Sequence, residues 1–461
     1  MATAQATLRR RQDVDMTQGG ILGHIIRFAF PLLIGNLFQQ LYNTVDTWVV
    51  GNYVNNAAFA AVGAVTPIVN MLIGAFMGLS SGASVVISQF YGAGRQDRVQ
   101  DTVHTSILLT AILCVVFTVV GLFITPYMIR FTNLHSSAAV EASTYLSIYF
   151  SGLVGLMFYN MGAAILRAIG DSRRPFYFLV VCALLNTVLD LVFVCVFHWG
   201  VAGVAYATII SQGVSAILVI ITLLITKSCI KLRLPKLRIH GDILKKVLLV
   251  GIPAALQMAI TSFSNVFVQS YINHFDQGLA SSDYMSGWTA YLKVDHLLFL
   301  PVQSVGLAVT TFVGQNLGSR QVERAKKGVT CALLVSMAAT VILMIPLLIF
   351  APQIVGFLNS KPEVVRNGAM FLRWLSPFYV LCCFNQIYAS ALRGAGNSRA
   401  SMIIMLLSFV GFRQLYLFAM SKICYQIIPI ALGYPAGWLV CSLITAIYYH
   451  NSDISKNRLT E

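Results

Sequence analysis

Two eight-residue stretches lying 226 positions apart are near copies of each other, LRAIGDSR (Leu166 to Arg173) and LRGAGNSR (Leu392 to Arg399), and both sit between long apolar runs. The same spacing relates ISQFYGAGRQDR (Ile87 to Arg98) to VGQNLGSRQVER (Val313 to Arg324). Self-similarity over so long a period means that one architecture is built twice. Any fold assigned to the first half therefore has to serve the second.

Lipid is the solvent for both halves. Hydrophobic residues make up 57% of the 461 and charged residues only 10%, which leaves too little polar surface to coat a water-soluble globule of this length. A helical span takes about 20 mostly apolar residues. Twelve segments qualify, at about 25–50, 58–90, 102–127, 140–166, 175–197, 203–226, 246–274, 285–314, 327–350, 364–391, 400–421 and 427–449. The expected fold is an all-α integral membrane protein, with twelve transmembrane helices in two six-helix bundles around a central cleft. Six is an even number, so both bundles enter the membrane from the same side as parallel repeats. The expected divisions are a tail over 1–24, a first lobe over 25–226, a basic linker over 227–245, a second lobe over 246–450 and a tail over 451–461.

The formal charge of +15 does not mark a nucleic-acid binder, because the basic residues are spread over short connectors. Twenty-four of the 31 Lys and Arg fall on one side of the twelve-span arrangement, and four, Arg130, Lys361, Arg366 and Lys422, on the other. By the positive-inside rule both termini of this multi-pass cell-membrane protein are expected in the cytoplasm. Arg9 to Arg11 precede the first span without a small-residue cleavage site, which reads as a cytosolic tail and not a removable signal. Lys227 to Lys246 carries seven Lys or Arg against Asp242 alone. That linker reads first as a positive-inside anchor, and also as a surface for anionic lipid headgroups. Nine cysteines form no CxxC pair and eight histidines show no metal spacing, so neither disulfides nor a zinc site is expected. No nucleophile motif or sizeable soluble domain points to an enzyme.

In the first span Asn36, Gln39, Asn43 and Asp46 follow at spacings of three, four and three, along one side of a helix. An ionised Asp at the bilayer centre costs about 2.5–3.5 kcal/mol on insertion scales, so Asp46 needs a partner, a proton or a water-filled cavity. The fifth span adds Asn186 and Asp190 at i and i+4. Two buried carboxylates that approach each other cannot both stay ionised without a counter-ion. Either a raised affinity for a proton or a bound cation makes such a pair a coupling site. Tyr145 and Asn160 in the fourth span, and Thr208, Ser211, Gln212 and Ser215 in the sixth, add oxygens. Those groups can complete a cation shell or simply hydrogen-bond helices together.

The counterpart of Asp46 in the second half is Val268, and the stripe Gln257, Thr261, Asn265 and Gln269 is uncharged, suited to lining a substrate path. Lys293, Asp295 and Arg413 are the exceptional charges there. Lys293 and Asp295, two apart, do not face each other, and Arg413 reads as a structural clamp. Pro31 and Pro253 open the first and seventh spans, with Asn43 and Asn265 each twelve residues on. Proline removes a backbone hydrogen bond, which makes Pro31 a candidate hinge.

The chain resembles the multidrug and toxic-compound extrusion (MATE) family, and more closely its DinF-like branch. The resemblance runs over essentially all twelve spans. It rests on PLLIGNLFQQLYNTVD (Pro31 to Asp46), ISQFYGAG (Ile87 to Gly94), FVGQNLGS (Phe312 to Ser319), the LR-x-x-G-x-SR copies, LLNTVLD (Leu184 to Asp190) and VAGVAYATIISQ (Val201 to Gln212). It implies two six-helix lobes around a cleft, exporting mainly cationic, amphipathic compounds in exchange for inward protons or sodium ions. Position by position, it implies a cation site at Asp46, Asn186, Asp190 and Thr208, with Gln39, Tyr145 and Asn160 beside it and a bend at Pro31. The NorM-like branch carries acids in its second lobe where this chain has Thr261 and Cys382, which argues against a second-lobe ion site.

The expected function is secondary active multidrug efflux by alternating access, coupled to H+ or Na+ at Asp46, Asp190, Asn186 and Thr208. Gln39, Asn43, Tyr145, Asn160, Gln257, Asn265 and Gln269 are expected on the substrate path. No cofactor beyond the coupling ion is expected, and the partners are small amphipathic molecules and membrane lipids, with a monomer as the working unit. A flippase for lipid-linked saccharides is the alternative within the same superfamily, and the two acids weigh against an anionic lipid. From a different class comes a non-transporting membrane scaffold or enzyme. Neither the compounds exported nor the choice of ion is set by a motif, because cavity shape decides the first and carboxylates with oxygen neighbours serve either ion.

Overall fold

The computed structural model describes residues 14–54, 56–131, 136–276, 283–424 and 426–460, and the expected tail arginines Arg9 to Arg11 lie outside the described residues. Among the described residues every regular element is helical. The first half contains α1 (Ile21–Tyr53), α2 (Asn56–Gly92), α3 (Gln96–Phe131), α4 (Ser136–Ser151), α5 (Leu153–Ala168), α6 (Arg173–Asp190) and α7 (Gly200–Ile225). The second contains α8 (Gly241–Asp276), α9 (Tyr284–Gly318), α10 (Val322–Ile349), α11 (Ala351–Leu358), α12 (Pro362–Leu375), α13 (Tyr379–Gly394), α14 (Ser398–Leu406), α15 (Arg413–Ile423), α16 (Ile427–Ala431) and α17 (Gly433–Asn451).

Among the described residues ten helical stretches are long and apolar enough to cross a membrane, and α4 with α5 makes an eleventh, bent by 48°. The bend falls at Gly152, where a Cβ would overlap the side chain of Ile209 on α7. The tenth expected segment, 364–391, is likewise interrupted, by a 3-10 turn at Ser376–Phe378 between α12 and α13. Pro377 lies inside that turn and has no N–H for the helical ladder. Gly152 and Phe378 are 226 residues apart, the period of the sequence copies. The duplication is preserved in its irregularities as well as in its helices.

The duplicated LR motif is a helix–turn–helix joint. Gly170 and Gly396 close it with φ of +87° and +93°, a region open to glycine at little cost. The next residue then caps the following helix. Asp171 Oδ1 accepts from the N–H groups of Arg173 and Arg174 at 3.1 and 3.2 Å, and Asn397 Oδ1 from that of Ala400 at 3.2 Å. Asp and Asn interchange here because both offer the same acceptor oxygen.

Two compact units emerge. One holds Phe30–Ala255 with residues 14–16 and Thr460, the other Thr17–Ala29 and Leu256–Leu459. The basic linker over 227–245 thus belongs with the first unit, and the division falls inside α1 and α8, next to Pro31 and Pro253. In the first unit the opening turns of α8 lie backbone to backbone on α2. A Cβ at Gly78 would overlap the backbone of Ala255, and one at Gly82 the carbonyl of Val247 and Gly251. Small residues at contacts of this kind are what let membrane helices approach closely. The core of this unit includes Val49, Phe76, Leu146, Phe150, Met157 and Val204. The second unit packs instead around aromatic rings, with Trp288 at 4.8 Å from Tyr291 and 5.1 Å from Phe371, and Tyr379 at 5.3 Å from Trp438.

Candidate functional site

Within the first unit, α1, α4, α6 and α7 bring polar side chains to one buried place. Asp46 projects from α1, Asn186 and Asp190 from the last turns of α6, and Thr208 from α7. Asn186 and Asp190 are wholly buried, and Asp46 and Thr208 nearly so, at 9% and 5% exposure. Asp46 faces Asp190, Thr208 and Asn186 together. Yet Oδ1 of Asp46, both oxygens of Asp190 and both amide atoms of Asn186 lack a directional hydrogen-bond partner. Among the described residues neither acid is ion-paired. Groups buried in that condition are costly, and a proton or a cation shared between the two carboxylates removes the cost. Thr208 spends its hydroxyl proton on the Val204 carbonyl at 3.0 Å, which leaves its oxygen lone pairs for a cation.

Tyrosines surround the acids. Tyr145 lies near both Asp46 and Asp190, and Tyr149 near Asp46 and Gln212; their rings stack at 6.1 Å on α4. Tyr42, one turn before Asp46, lies beside it and contacts Gln39. Sequence reasoning missed Tyr42 and Tyr149, although each stands four residues from a residue it had chosen. The other expected residues are exposed or hydrogen-bonded to backbone carbonyls. Asn43 is exposed, and Asn160 donates to the Leu156 carbonyl of its own helix at 2.9 Å. Ser211 and Ser215 donate to the carbonyls of Thr208 and Phe178, at 2.9 and 3.0 Å.

The second unit treats its polar groups differently. Gln257 is buried and tied to α14, accepting from Ser401 Oγ at 3.1 Å and donating to Met405 Sδ at 2.7 Å. Asn265 Oδ1 accepts from Arg413 Nη2 at 3.0 Å, and Ser264 Oγ lies 2.6 Å from the same nitrogen. The Arg413 guanidinium also sits 4.9 Å from the ring centre of Tyr434, so this buried cation is held by oxygens and an aromatic face, as a clamp would be. Gln269 is exposed, as is Lys293. Asp295 accepts from the Tyr291 hydroxyl at 3.0 Å, and that hydroxyl lies 3.3 Å from the one of Tyr379. Thr261 donates to the Gln257 carbonyl at 2.7 Å, and Cys382 is buried.

Comparison with known proteins agrees with this architecture. A family model described as MatE matches residues 31–192 and 253–416, one block in each half. The probable multidrug resistance protein YpnP of Bacillus subtilis is 28% identical over 438 residues, covering 94% of this chain and 96% of its own length. The probable multidrug resistance protein NorM of Thermotoga maritima is 26% identical, covering 86% and 85%. A solved outward-facing multidrug-resistance MATE transporter superposes with a TM-score of 0.88 at 25% identity, covering 95% of this chain and 97% of the other. That fold is the twelve-helix, two-bundle one expected from the sequence. Matched in both of its halves, the chain belongs to the MatE family, whose members are membrane transporters and not enzymes.

Proposed function

We propose that the protein is a multidrug efflux antiporter of the cell membrane, exporting amphipathic, mostly cationic compounds by alternating access in exchange for inward H+ or Na+. The observation that carries this reading is the buried, unpaired Asp46–Asp190 pair with Asn186 and Thr208 around it. A site of that kind is stable when loaded and costly when empty and ionised, which is the property a coupling site needs. Access is supported by a cavity of about 510 Å³ lined by Tyr53, Glu141, Thr144, Val194 and His198 among others. Val194 stands four residues beyond Asp190, and Glu141 four before Tyr145. At Val194 the cavity lining is about one helical turn along the chain from Asp190.

Loading the site changes the charge at α1, and α1 is the helix that divides between units next to Pro31. We therefore assign Pro31 as the hinge through which loading alters the first lobe and expels the substrate. One charge moving inward gains about 2.3 kcal/mol per 100 mV, enough to drive export when exchange is tightly linked. Both termini face the cytoplasm by the charge bias of the loops. The flippase reading is not favoured, since the two relatives named above are described as probable multidrug resistance proteins and the site is acidic.

The test is export of a fluorescent lipophilic cation from proteoliposomes, driven either by a sodium gradient at fixed pH or by a pH gradient without sodium. Wild-type protein should respond to one of the two. Unchanged ion dependence in both Asp46→Asn and Asp190→Asn would remove the assignment.

A further inference from the structure

Residues 226–240 join α7, which ends at Ile225, to α8, which begins at Gly241. Both ends are tied to membrane spans, so the segment lies at the bilayer surface. It is not a slack tether. The N–H of Leu232 donates to the Leu223 carbonyl at 2.8 Å, and that of Arg233 to His104 Nε2 at 3.1 Å. Gln100 Nε2 donates to the Lys231 carbonyl at 3.1 Å, and the N–H of His240 to Thr105 Oγ1 at 3.1 Å. Ile230 and Leu232 are buried beneath the segment. The linker is thus pinned against the opening turns of α3 on both sides of its middle.

That middle projects outward. Leu234–Lys236 forms one 3-10 turn, with Leu234 59% and Ile239 37% exposed. Arg233, Lys236 and Arg238 are exposed beside them. From Lys227 to Gly241 the chain has no Asp or Glu, and among the described residues none of these three cations is in an ion pair. The nearby acids are already engaged, Asp242 with Arg98 at 2.9 Å and Asp101 with His240 at 3.7 Å. Apolar side chains fixed at a bilayer surface are covered by acyl chains, and cations fixed next to them match phosphate oxygens. A diffuse positive-inside loop would need charge but not this order, whereas a specific site gains from having its ordering cost met in advance.

We propose that the linker is a preformed site for an anionic phospholipid, with Arg233, Lys236 and Arg238 holding the headgroup phosphate and Leu234 and Ile239 set among the acyl chains. The site is independent of which ion drives transport.

The test uses the full-length protein in nanodiscs of phosphatidylcholine and phosphatidylglycerol, reading the phosphatidylglycerol enrichment of the lipid retained on mild detergent extraction. A triple variant, R233Q/K236Q/R238Q, is compared with a control of equal charge loss at the turn before α10 and its opening turns, R320Q/K326Q/K327Q. Each headgroup contact is worth about a five-fold preference, so the linker variant should lose at least about ten-fold more enrichment than the control. Equal losses in the two would mean diffuse surface charge and overturn the proposal. A second readout does not depend on the triple variant folding. Leu234→Trp should add fluorescence that brominated phosphatidylglycerol quenches, and added emission that is water-exposed and unquenched would overturn the proposal too. So would an acidic soluble protein retained on the linker while the lipid composition is unaffected by the triple variant.

Discussion

Asp190 is placed where stability and function pull apart. Both of its oxygens are buried without a hydrogen-bond partner, so in alkaline buffer without sodium its ionised form penalises the folded state. Asp190→Asn is expected to raise the melting temperature of the detergent-solubilised protein under those conditions by several degrees, and a fall would show that the carboxylate has a stabilising partner. The same variant, like Asp46→Asn, should lower ion-driven export at least about ten-fold, as a site that no longer changes charge cannot be loaded and emptied. The acids were legible in the sequence because a carboxylate in an apolar span is expensive and needs a reason. Tyr42 and Tyr149 were not, since a tyrosine in a span reads as apolar until its hydroxyl is seen to lie by Asp46. Asn43, expected on the substrate path, is exposed for a geometric reason. A step of three residues turns a helix about 60° short of a full circle, enough to put Asn43 on the exposed side while Tyr42 and Asp46 stay buried.

Helix contacts in the first unit depend on where side chains are missing. On α2 an added Cβ at Gly82 would meet the backbone of α8, which cannot swing aside as a side chain can, whereas one at Gly63 would meet nothing within 4 Å. Gly82→Val is therefore expected to force the two helices apart at a cost of about 1–3 kcal/mol or more. It should reduce the monodisperse fraction on size exclusion, and Gly63→Ala on the same helix should not; equal behaviour of the two would contradict the packing described. The helices themselves were legible from apolar runs, but their interruptions were not. The segment 364–391 is continuous by hydropathy, and Pro377 is the local sign of its break. At Gly152 no such sign exists, because the bend depends on Ile209 of α7 filling the space a Cβ would take. That information resides in the partner helix.

At the scale of the whole molecule, the duplication repeats the scaffold and not the chemistry. Val268, the counterpart of Asp46, is fully buried in an apolar core. The acid the second unit does carry, Asp295, comes from α9 and accepts from Tyr291, which itself touches Tyr379. The buried cation there, Arg413, is held by Ser264 and Asn265. Asp295 and Arg413 in the second unit each have hydrogen-bond partners, while Asp190 and Oδ1 of Asp46 at the centre of the first have none. In the mechanism proposed above, coupling rests on the first lobe, because a hydrogen-bonded acid has less to gain from an ion than an unpartnered one. Asp295→Asn should accordingly leave the ion dependence of export within about two-fold of wild type, a range below 0.5 kcal/mol, even if the lost tyrosine bond lowers thermal stability. The comparison with Asp46→Asn under the same gradients is the discriminating measurement. If the Asp295 variant lost its ion response while staying folded, the second unit would hold a coupling group of its own and the one-lobe account would fail.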